Sequence, residues 1–384
     1  MGQQTDTAYL STGQAELRHE HGRLNSLTGI RAFAACWVVA FHFMDQMFGL
    51  FPGLEFLSPL VRSGYLGVDL FFGLSGFILA YNYLHRLGEN GTWNDRLRFL
   101  WLRLARVWPV QFFTLNVALL MMLVARTFGV TINHSQLTVR YTPAAYLENL
   151  SLTHDWLGRD MSFNGPSWSV SAEWFAYLLF PLLVVVVVRV RSLWGAWVGA
   201  IACYATLGAA TFAMNVGLET STIPSGLRVV LEFTAGCFLF RVSERTGRGV
   251  AWKWLAPMSV AGILIGAVTV GSTSHGVVLA PLFGLLILSL AKTQGLLVRA
   301  LSTRVLVFGC EVSFALYMTH FLVQQLAGKM LPIERFADSG WVVRGAVFAC
   351  YLVMFSVAAV ATHLLVEKPA RNRMRSVRVF ATPA

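Results

Sequence analysis

Ten long apolar stretches constrain the fold of this chain more than any other feature. Each has about 17–25 residues, the length that an α-helix needs to cross the hydrocarbon core of a bilayer. They lie at residues 27–49, 64–84, 108–128, 168–188, 193–213, 224–242, 254–272, 275–291, 305–326 and 342–366. Because lipid cannot satisfy exposed backbone polar groups, the pattern predicts an all-α, polytopic bundle of about ten transmembrane helices.

The composition agrees with a multi-pass membrane protein. Hydrophobic residues make up 56% of the 384 residues and charged residues only 13%, which is too few to cover a soluble protein of this size. The net charge of +11 does not indicate nucleic-acid binding, because the basic residues fall in short clusters between the apolar stretches. The five cysteines lack CxxC spacing and neighbouring histidine ligands, so we expect neither disulfides nor a metal site.

The positions of the basic residues predict the orientation in the membrane. If residue 1 is cytoplasmic, 21 of the 30 lysines and arginines lie in cytoplasmic segments and 7 lie outside. This bias places both termini in the cytoplasm. We therefore expect a cytoplasmic tail at 1–23, which has no signal-peptide pattern, a membrane domain at 24–371 and a basic cytoplasmic tail at 372–384. The longest outside segment, 129–166, is expected to hold a short interfacial helix.

Two basic side chains, Arg31 and His42, lie inside the first apolar stretch. A charged side chain at hydrocarbon depth costs about 2.5 kcal/mol or more, so it usually faces the protein interior or a water-filled cavity. At ~1.5 Å per residue the two stand about 16 Å apart along the helix axis. This spacing predicts an anion-binding group near the cytoplasmic face and a proton-transfer group deeper in the membrane. A core histidine hydrogen-bonded to a neighbouring helix has the same sequence pattern.

Three further ionisable residues, Asp69, Glu173 and His320, lie at a depth similar to that of His42 in other apolar stretches. Either carboxylate is a candidate to orient the imidazole of His42 and to stabilise its charged form. One layer therefore receives ionisable groups from four helices, which favours a functional cluster. A buried structural network would give the same pattern.

Two arginines precede the third apolar stretch, on its predicted cytoplasmic side. Arg103 and Arg106 are spaced i, i+3, so they share one helix face and offer forked donors suited to phosphate. Together with Arg31 they can form a basic socket for a phosphorylated ligand, although positive-inside topology alone also accounts for them. Arg228 and Glu232, one turn apart in the sixth stretch, are interpreted as a structural pair that neutralises itself.

Several short motifs, in this order and at these depths, resemble those of the membrane acyltransferase-3 family, the integral-membrane O-acyltransferases of bacterial glycans, lipids and antibiotics. The resemblance spans nearly the whole chain. The motifs are 24–31 (LNSLTGIR) followed by ten residues and His42, 64–72 (GYLGVDLFF) with 75–77 (SGF), 103–106 (RLAR), 166–173 (PSWSVSAE), 313–320 (SFALYMTH) and 366–371 (VEKPAR).

The resemblance implies an acyl-CoA donor on the cytoplasmic side and His42 as the catalytic base. It also implies that Arg31, Arg103 and Arg106 bind or position the donor. Further residues in the same motifs are candidates for binding the acceptor substrate: His320, Tyr317, Trp168 and Ser171.

We therefore expect an O-acyltransferase of the bacterial cytoplasmic (inner) membrane that moves an acyl group, acetyl above all, from acetyl-CoA to a sugar-containing acceptor. That acceptor is a glycan, a glycolipid or a glycosylated metabolite. Some relatives carry an appended esterase-like domain, which this sequence lacks, so we expect direct acylation or a separate partner. The alternative is a proton-coupled transporter or exporter, since intramembrane His, Asp and Glu also serve carriers. The sequence has no internal repeat of the kind common in carriers.

Overall fold

A computed structural model describes residues 26–129, 141–156, 162–215, 217–218, 225–247, 249–271 and 275–377. In these ranges the chain forms helices joined by turns, and none of the described residues is in a β-strand. The predicted all-α class with many membrane-spanning helices is thereby confirmed. The expected N-terminal tail at 1–23 lies outside the described residues.

The α-helices are numbered in chain order. They are α1 Ser26–His42, α2 Met44–Leu50, α3 Ser58–Arg62, α4 Gly67–Gly88, α5 Trp93–Thr127, α6 Pro143–Leu150, α7 Trp168–Arg189, α8 Leu193–Met214, α9 Ser225–Arg245, α10 Val250–Thr269, α11 Ala280–Lys292, α12 Leu296–Leu301, α13 Arg304–Met330, α14 Trp341–Thr362 and α15 Lys368–Ser376.

Each of the ten apolar stretches overlaps one of these helices or the α1–α2 pair. Within the described residues, 7 helices are long and apolar enough to cross a membrane, or up to 8 if the bent α1–α2 pair counts as one span. Helix α9 falls outside this set, and its sequence carries several charges. Helix α11, with 13 residues, is short. The count of ten spans and the cytoplasmic position of both termini stay predictions.

Helix α9 packs against α4, α7 and α8. Glycines bring the backbones of α4 and α9 into direct contact: a Cβ atom on Gly76 would clash with the carbonyl group of Phe233, and one on Gly236 would clash with the carbonyl group of Gly73. Small residues at such crossings are typical of membrane helix pairs. The contact places the polar residues of α4 and α9 next to each other inside the bundle.

The segment predicted to lie outside, 129–166, contains the short helix α6 in its described part. Asn149, at the end of α6, donates to the hydroxyl oxygen of Ser162 at 2.6 Å. Asn164 then donates to the backbone carbonyl oxygen of Met318 in α13 at 2.8 Å. These buried hydrogen bonds join the segment to the helix that carries His320.

Candidate active site

The first membrane helix breaks at His42. Helix α1 ends at this residue, and α2 continues at an angle of 65°. The backbone carbonyl oxygen of His42 accepts a hydrogen bond from Nε2 of Gln324 in α13 at 2.5 Å. A side chain from a neighbouring helix thus satisfies a backbone group at the break, as the interior of a membrane requires.

The imidazole of His42 is held in one tautomer by the backbone. Its Nδ1 lies 2.9 Å from the carbonyl oxygen of Val38. Because a carbonyl oxygen only accepts hydrogen bonds, we assign the proton to Nδ1, which leaves the lone pair of the neutral ring on Nε2. No described residue forms a hydrogen bond with Nε2 of His42. The ring therefore presents a free basic nitrogen, as a general base must.

Arg31 lies on the same face of α1 as His42. Eleven residues at 3.6 residues per turn bring the two side chains to within about 20° of one direction, separated by about 16 Å along the axis. A cavity lies beside Arg31 and extends between α4, α7 and α13 to Tyr317. Tyr317 contacts the ring of His320, with ring centroids 5.8 Å apart. The cavity wall thus includes Arg31 of α1 and, at Tyr317, a side chain in contact with His320.

Glu173 is part of the cavity wall. Its Oε1 accepts hydrogen bonds from Ser75 at 2.8 Å and from Tyr177 at 2.5 Å, and its charge acts on Arg31. The described residues show no hydrogen bond between Glu173 and His42. The carboxylate predicted to orient the base is therefore found at the arginine side of the cavity.

The three arginines predicted to bind a donor lie close together, and Arg31 lines the cavity. Arg106 is within electrostatic range of Arg31 and Arg103, and the guanidinium of Arg103 lies over the ring of Tyr83 at 5.8 Å. None of the three forms an ion pair with a carboxylate of the described residues. The Nε atoms of Arg31 and Arg103 are buried without a hydrogen-bond partner in the same ranges. Guanidinium groups without a hydrogen-bonded carboxylate partner are suited to binding an anion.

The motif at 366–371 lies near Arg31 and Arg106, because the charge of its Glu367 acts on both arginines. A short π-helix, His363–Glu367, connects α14 to α15, and such turns often occur at functional sites. Glu367 is 1% exposed and accepts hydrogen bonds from Nδ1 of His363 at 3.0 Å and from Arg371 at 2.9 Å. Nε of Arg371 is buried and has no partner among the described residues. The sequence of this motif by itself indicates no role for these residues.

Asp69 lies in a different environment from the one predicted. Both of its carboxylate oxygens accept hydrogen bonds from Arg228, at 2.8 and 2.6 Å. The described residues show no hydrogen bond from Asp69 to His42, and none between Arg228 and Glu232. Asp69 and Arg228 thus form a forked ion pair between α4 and α9, while Glu232 interacts with Arg228 through its charge and without a hydrogen bond.

The candidate acceptor residues do not all face the cavity. Tyr317 lines it and donates to the carbonyl oxygen of Pro166 at 3.0 Å. Trp168 lies below the guanidinium of Arg228, 5.3 Å from ring to cation. Ser171 donates to the carbonyl oxygen of Leu152 at 2.9 Å. Trp168 and Ser171 therefore contact structural neighbours, whereas His320 lies directly against His42.

A buried carboxyl group in the segment after α6 was missed by sequence reasoning. Asp155 is 7% exposed and lies near Ser225 and Arg228 at the start of α9. Burial raises the pKa of Asp155 to about 6, while the nearby charge of Arg228 acts in the opposite direction. Nothing in the local sequence distinguishes this aspartate from a solvated loop residue.

The fold and the internal site define a class: a multi-pass membrane protein with neighbouring arginines, one of which lines an internal cavity, and with two adjacent histidines, His42 and His320. Residues 24–363 match the model of the family Acyl_transf_3, described as an acyltransferase domain. This match covers most of the chain, so the protein belongs to the membrane acyltransferase-3 family. The family predicted from the short motifs is thus confirmed.

Two relatives extend the comparison. The chain is 30% identical to the protein named acyltransferase MdmB from Streptomyces mycarofaciens, over 94% of this chain and 95% of the relative. It is 44% identical to the protein named protein 2 in picA locus from Rhizobium radiobacter, over 22% of this chain and 38% of that protein. No solved structure matches the chain significantly. Family and full-length relative together identify a membrane acyltransferase.

Proposed function

We propose that the protein is an acyl-CoA-dependent O-acyltransferase of the bacterial cytoplasmic membrane. It moves an acetyl group from acetyl-CoA to a hydroxyl group of a sugar-containing acceptor, such as a glycan, a glycolipid or a glycosylated metabolite. One observation carries the proposal: Arg31 and a histidine with a free Nε2 lie on one face of α1, Arg103 and Arg106 of α5 lie close to Arg31, and Arg31 lines a cavity.

The arginine end suits the coenzyme. Coenzyme A carries phosphate groups at one end and the reactive thioester at the other, joined by a long pantetheine arm. In the proposal Arg31, Arg103 and Arg106 bind the phosphates through charge-assisted hydrogen bonds. The excess of arginine and lysine in the segments around this end supports a donor that arrives from the cytoplasm. The pantetheine arm then crosses the ~16 Å between Arg31 and His42.

The histidine end suits the chemistry. Nε2 of His42 takes the proton of the acceptor hydroxyl while the hydroxyl oxygen attacks the carbonyl carbon of the thioester. The carbon–sulfur bond breaks, and the coenzyme leaves as a thiolate that takes the proton from the imidazolium of His42. The acyl group passes from the coenzyme to the acceptor, and one proton passes from the acceptor to the coenzyme by way of His42. The step therefore needs no further reactant.

Two of the predicted site residues take other roles in this proposal. Glu173 offsets the charge of Arg31 while the donor site is empty and keeps the guanidinium directed into the cavity. Asp69 supports the fold through Arg228 rather than acting on the base. Of the residues predicted to bind the acceptor substrate, the proposal keeps Tyr317, because it lies in the far wall of the cavity.

A transfer assay on purified protein in lipid nanodiscs tests the proposal. Acetyl-CoA labelled in the acetyl group is supplied with a glycolipid and oligosaccharide extract of bacterial envelopes. We expect release of free coenzyme thiol and recovery of label as an alkali-labile ester in the extract. A proton-coupled carrier, the alternative from the sequence, would release no thiol, and that result would overturn the proposal.

A further inference from the structure

We propose that His320 is the positioning residue of the base, a role that rests on the proposed function of His42. His320 is 1% exposed, and its Nε2 lies 3.3 Å from Nδ1 of His42. The two ring centroids are 4.9 Å apart, and the ring planes are inclined at 57°. The sequence suggested a contact with substrate for His320, but its ring nitrogens are already engaged by the protein.

The tautomer of His320 follows from its backbone contacts. Nδ1 of His320 lies 2.6 Å from the carbonyl oxygen of Tyr317 and 3.3 Å from that of Leu316. Both oxygens only accept, so Nδ1 of His320 carries the proton and Nε2 holds a lone pair. This lone pair faces the Nδ1–H group of His42, which is thus shared between Nε2 of His320 and the carbonyl oxygen of Val38.

The arrangement makes the two histidines unequal. Both nitrogens of His320 and Nδ1 of His42 are engaged, whereas Nε2 of His42 has no hydrogen-bond partner among the described residues. Of the two rings, only His42 can take a proton from an incoming hydroxyl without first breaking a hydrogen bond within the protein. The geometry therefore assigns the base to His42 and the supporting position to His320.

His320 occupies the place that a carboxylate takes in a Ser-His-Asp triad. When Nε2 of His42 takes the proton of the acceptor, positive charge spreads to Nδ1–H, and the lone pair of His320 stabilises it. His320 keeps its own proton on Nδ1 throughout. A neutral acceptor stabilises this charge less than a carboxylate would. We therefore expect an effect of about tenfold, the order of one hydrogen bond, rather than the loss seen on removing the base.

Two substitutions separate positioning from packing. His320→Gln keeps an amide oxygen that can accept from His42, while His320→Leu keeps the volume and removes the acceptor. Thr319→Val is the matched control, because Thr319 is a buried neighbour on α13 whose hydroxyl bonds only to Ala315 among the described residues. Maximal rate and KM for acetyl-CoA are measured in the envelope-extract assay, and folding is followed by the thermal unfolding midpoint.

We expect His320→Leu to lower the maximal rate about tenfold with an unchanged KM for acetyl-CoA, His320→Gln to recover most of the rate, and Thr319→Val to behave as wild type. Equal loss in the Gln and Leu variants, or no loss in either, would overturn the role. Should the Leu variant fail to fold, ¹⁵N spectra of histidine-labelled wild-type protein decide instead. There, an Nε2–H form of His320 would refute the assignment.

These outcomes are distinct from failure of the proposed function. Normal turnover by the His42→Ala variant would contradict the assignment of His42 as the base, whatever the His320 variants show. An inactive His42→Ala variant together with a fully active His320→Leu variant would contradict only the positioning role of His320.

Discussion

Two sets of charges within the helix bundle differ in how completely they are paired. Asp69 and Arg228 satisfy each other through two hydrogen bonds, with side chains that are 1% and 5% exposed. Arg31, Arg103 and Arg106 lie together with no carboxylate of the described residues paired to them. A charge that is fully paired within the protein has little left to offer a ligand, whereas an unpaired cluster has a ligand still to bind. We therefore propose that the paired set is structural and the unpaired set functional, although both have the same appearance in the sequence.

The largest effect expected on the unpaired side comes from the base. His42→Ala should lower transfer by about 10²–10⁴-fold, since that is what a general base contributes. Binding of coenzyme A, measured by calorimetry, should be retained because the arginines are unchanged. Turnover near that of the wild type would show that His42 is a core histidine.

Substitutions in the Asp69–Arg228 pair should change the free energy of unfolding. Asp69→Asn leaves Arg228 buried with a weakened partner, and we expect a loss of about 3–5 kcal/mol in unfolding free energy. Adding Arg228→Met and Glu232→Gln to Asp69→Asn should recover much of this loss, because neither the guanidinium nor the buried carboxylate of Glu232, which lies within electrostatic range of Arg228, is then left without a partner. Denaturant unfolding in detergent measures both. If Asp69→Asn instead unfolded as wild type but lost turnover, Asp69 would belong to the active site.

An intermediate case is Asp155, a buried carboxyl group near Arg228. Its pKa in the folded protein, about 6, lies above the ordinary aspartate value, so folding favours the protonated form. The contribution of Asp155 to the unfolding free energy should therefore be fully present below about pH 4. It should be lost, by about 3 kcal/mol, as the pH rises past about 6. The thermal midpoint measured from pH 4 to 8 tests this. In Asp155→Asn that part of the pH dependence should vanish, and an unchanged slope would contradict the assignment.

The smallest effect expected is on donor affinity. Lysine keeps the charge of arginine but not its forked geometry, so Arg103→Lys or Arg106→Lys should raise KM for acetyl-CoA by about tenfold. The maximal rate should change little if these contacts hold substrate and transition state alike. Arg86→Lys is the control, because Arg86 forms an exposed pair with Asp95. If all three variants bound coenzyme A equally, the arginines would be topology signals only.

Much of the fold could be predicted because the physical constraint is local. A stretch of about 20 apolar residues must be helical in a bilayer whatever surrounds it. All ten stretches accordingly overlap helices of the described residues. The family was also identified from short motifs, since their order along the chain is itself sequence information. The break of the first helix after His42 could not be predicted in this way, because no proline marks it.

By itself, the sequence predicted which ionisable residues lie within the apolar stretches and how far apart two of them stand along one helix, because the rise of a helix converts residue number into distance. Only the tertiary structure decided their partners. Asp69 and Glu173 were equal candidates to support His42, yet Asp69 pairs with Arg228, 159 residues away, and the ring beside His42 is that of His320, 278 residues away. Hydrogen bonds need contact within about 3 Å. Which helices come that close depends on the packing of the whole bundle and not on any single segment.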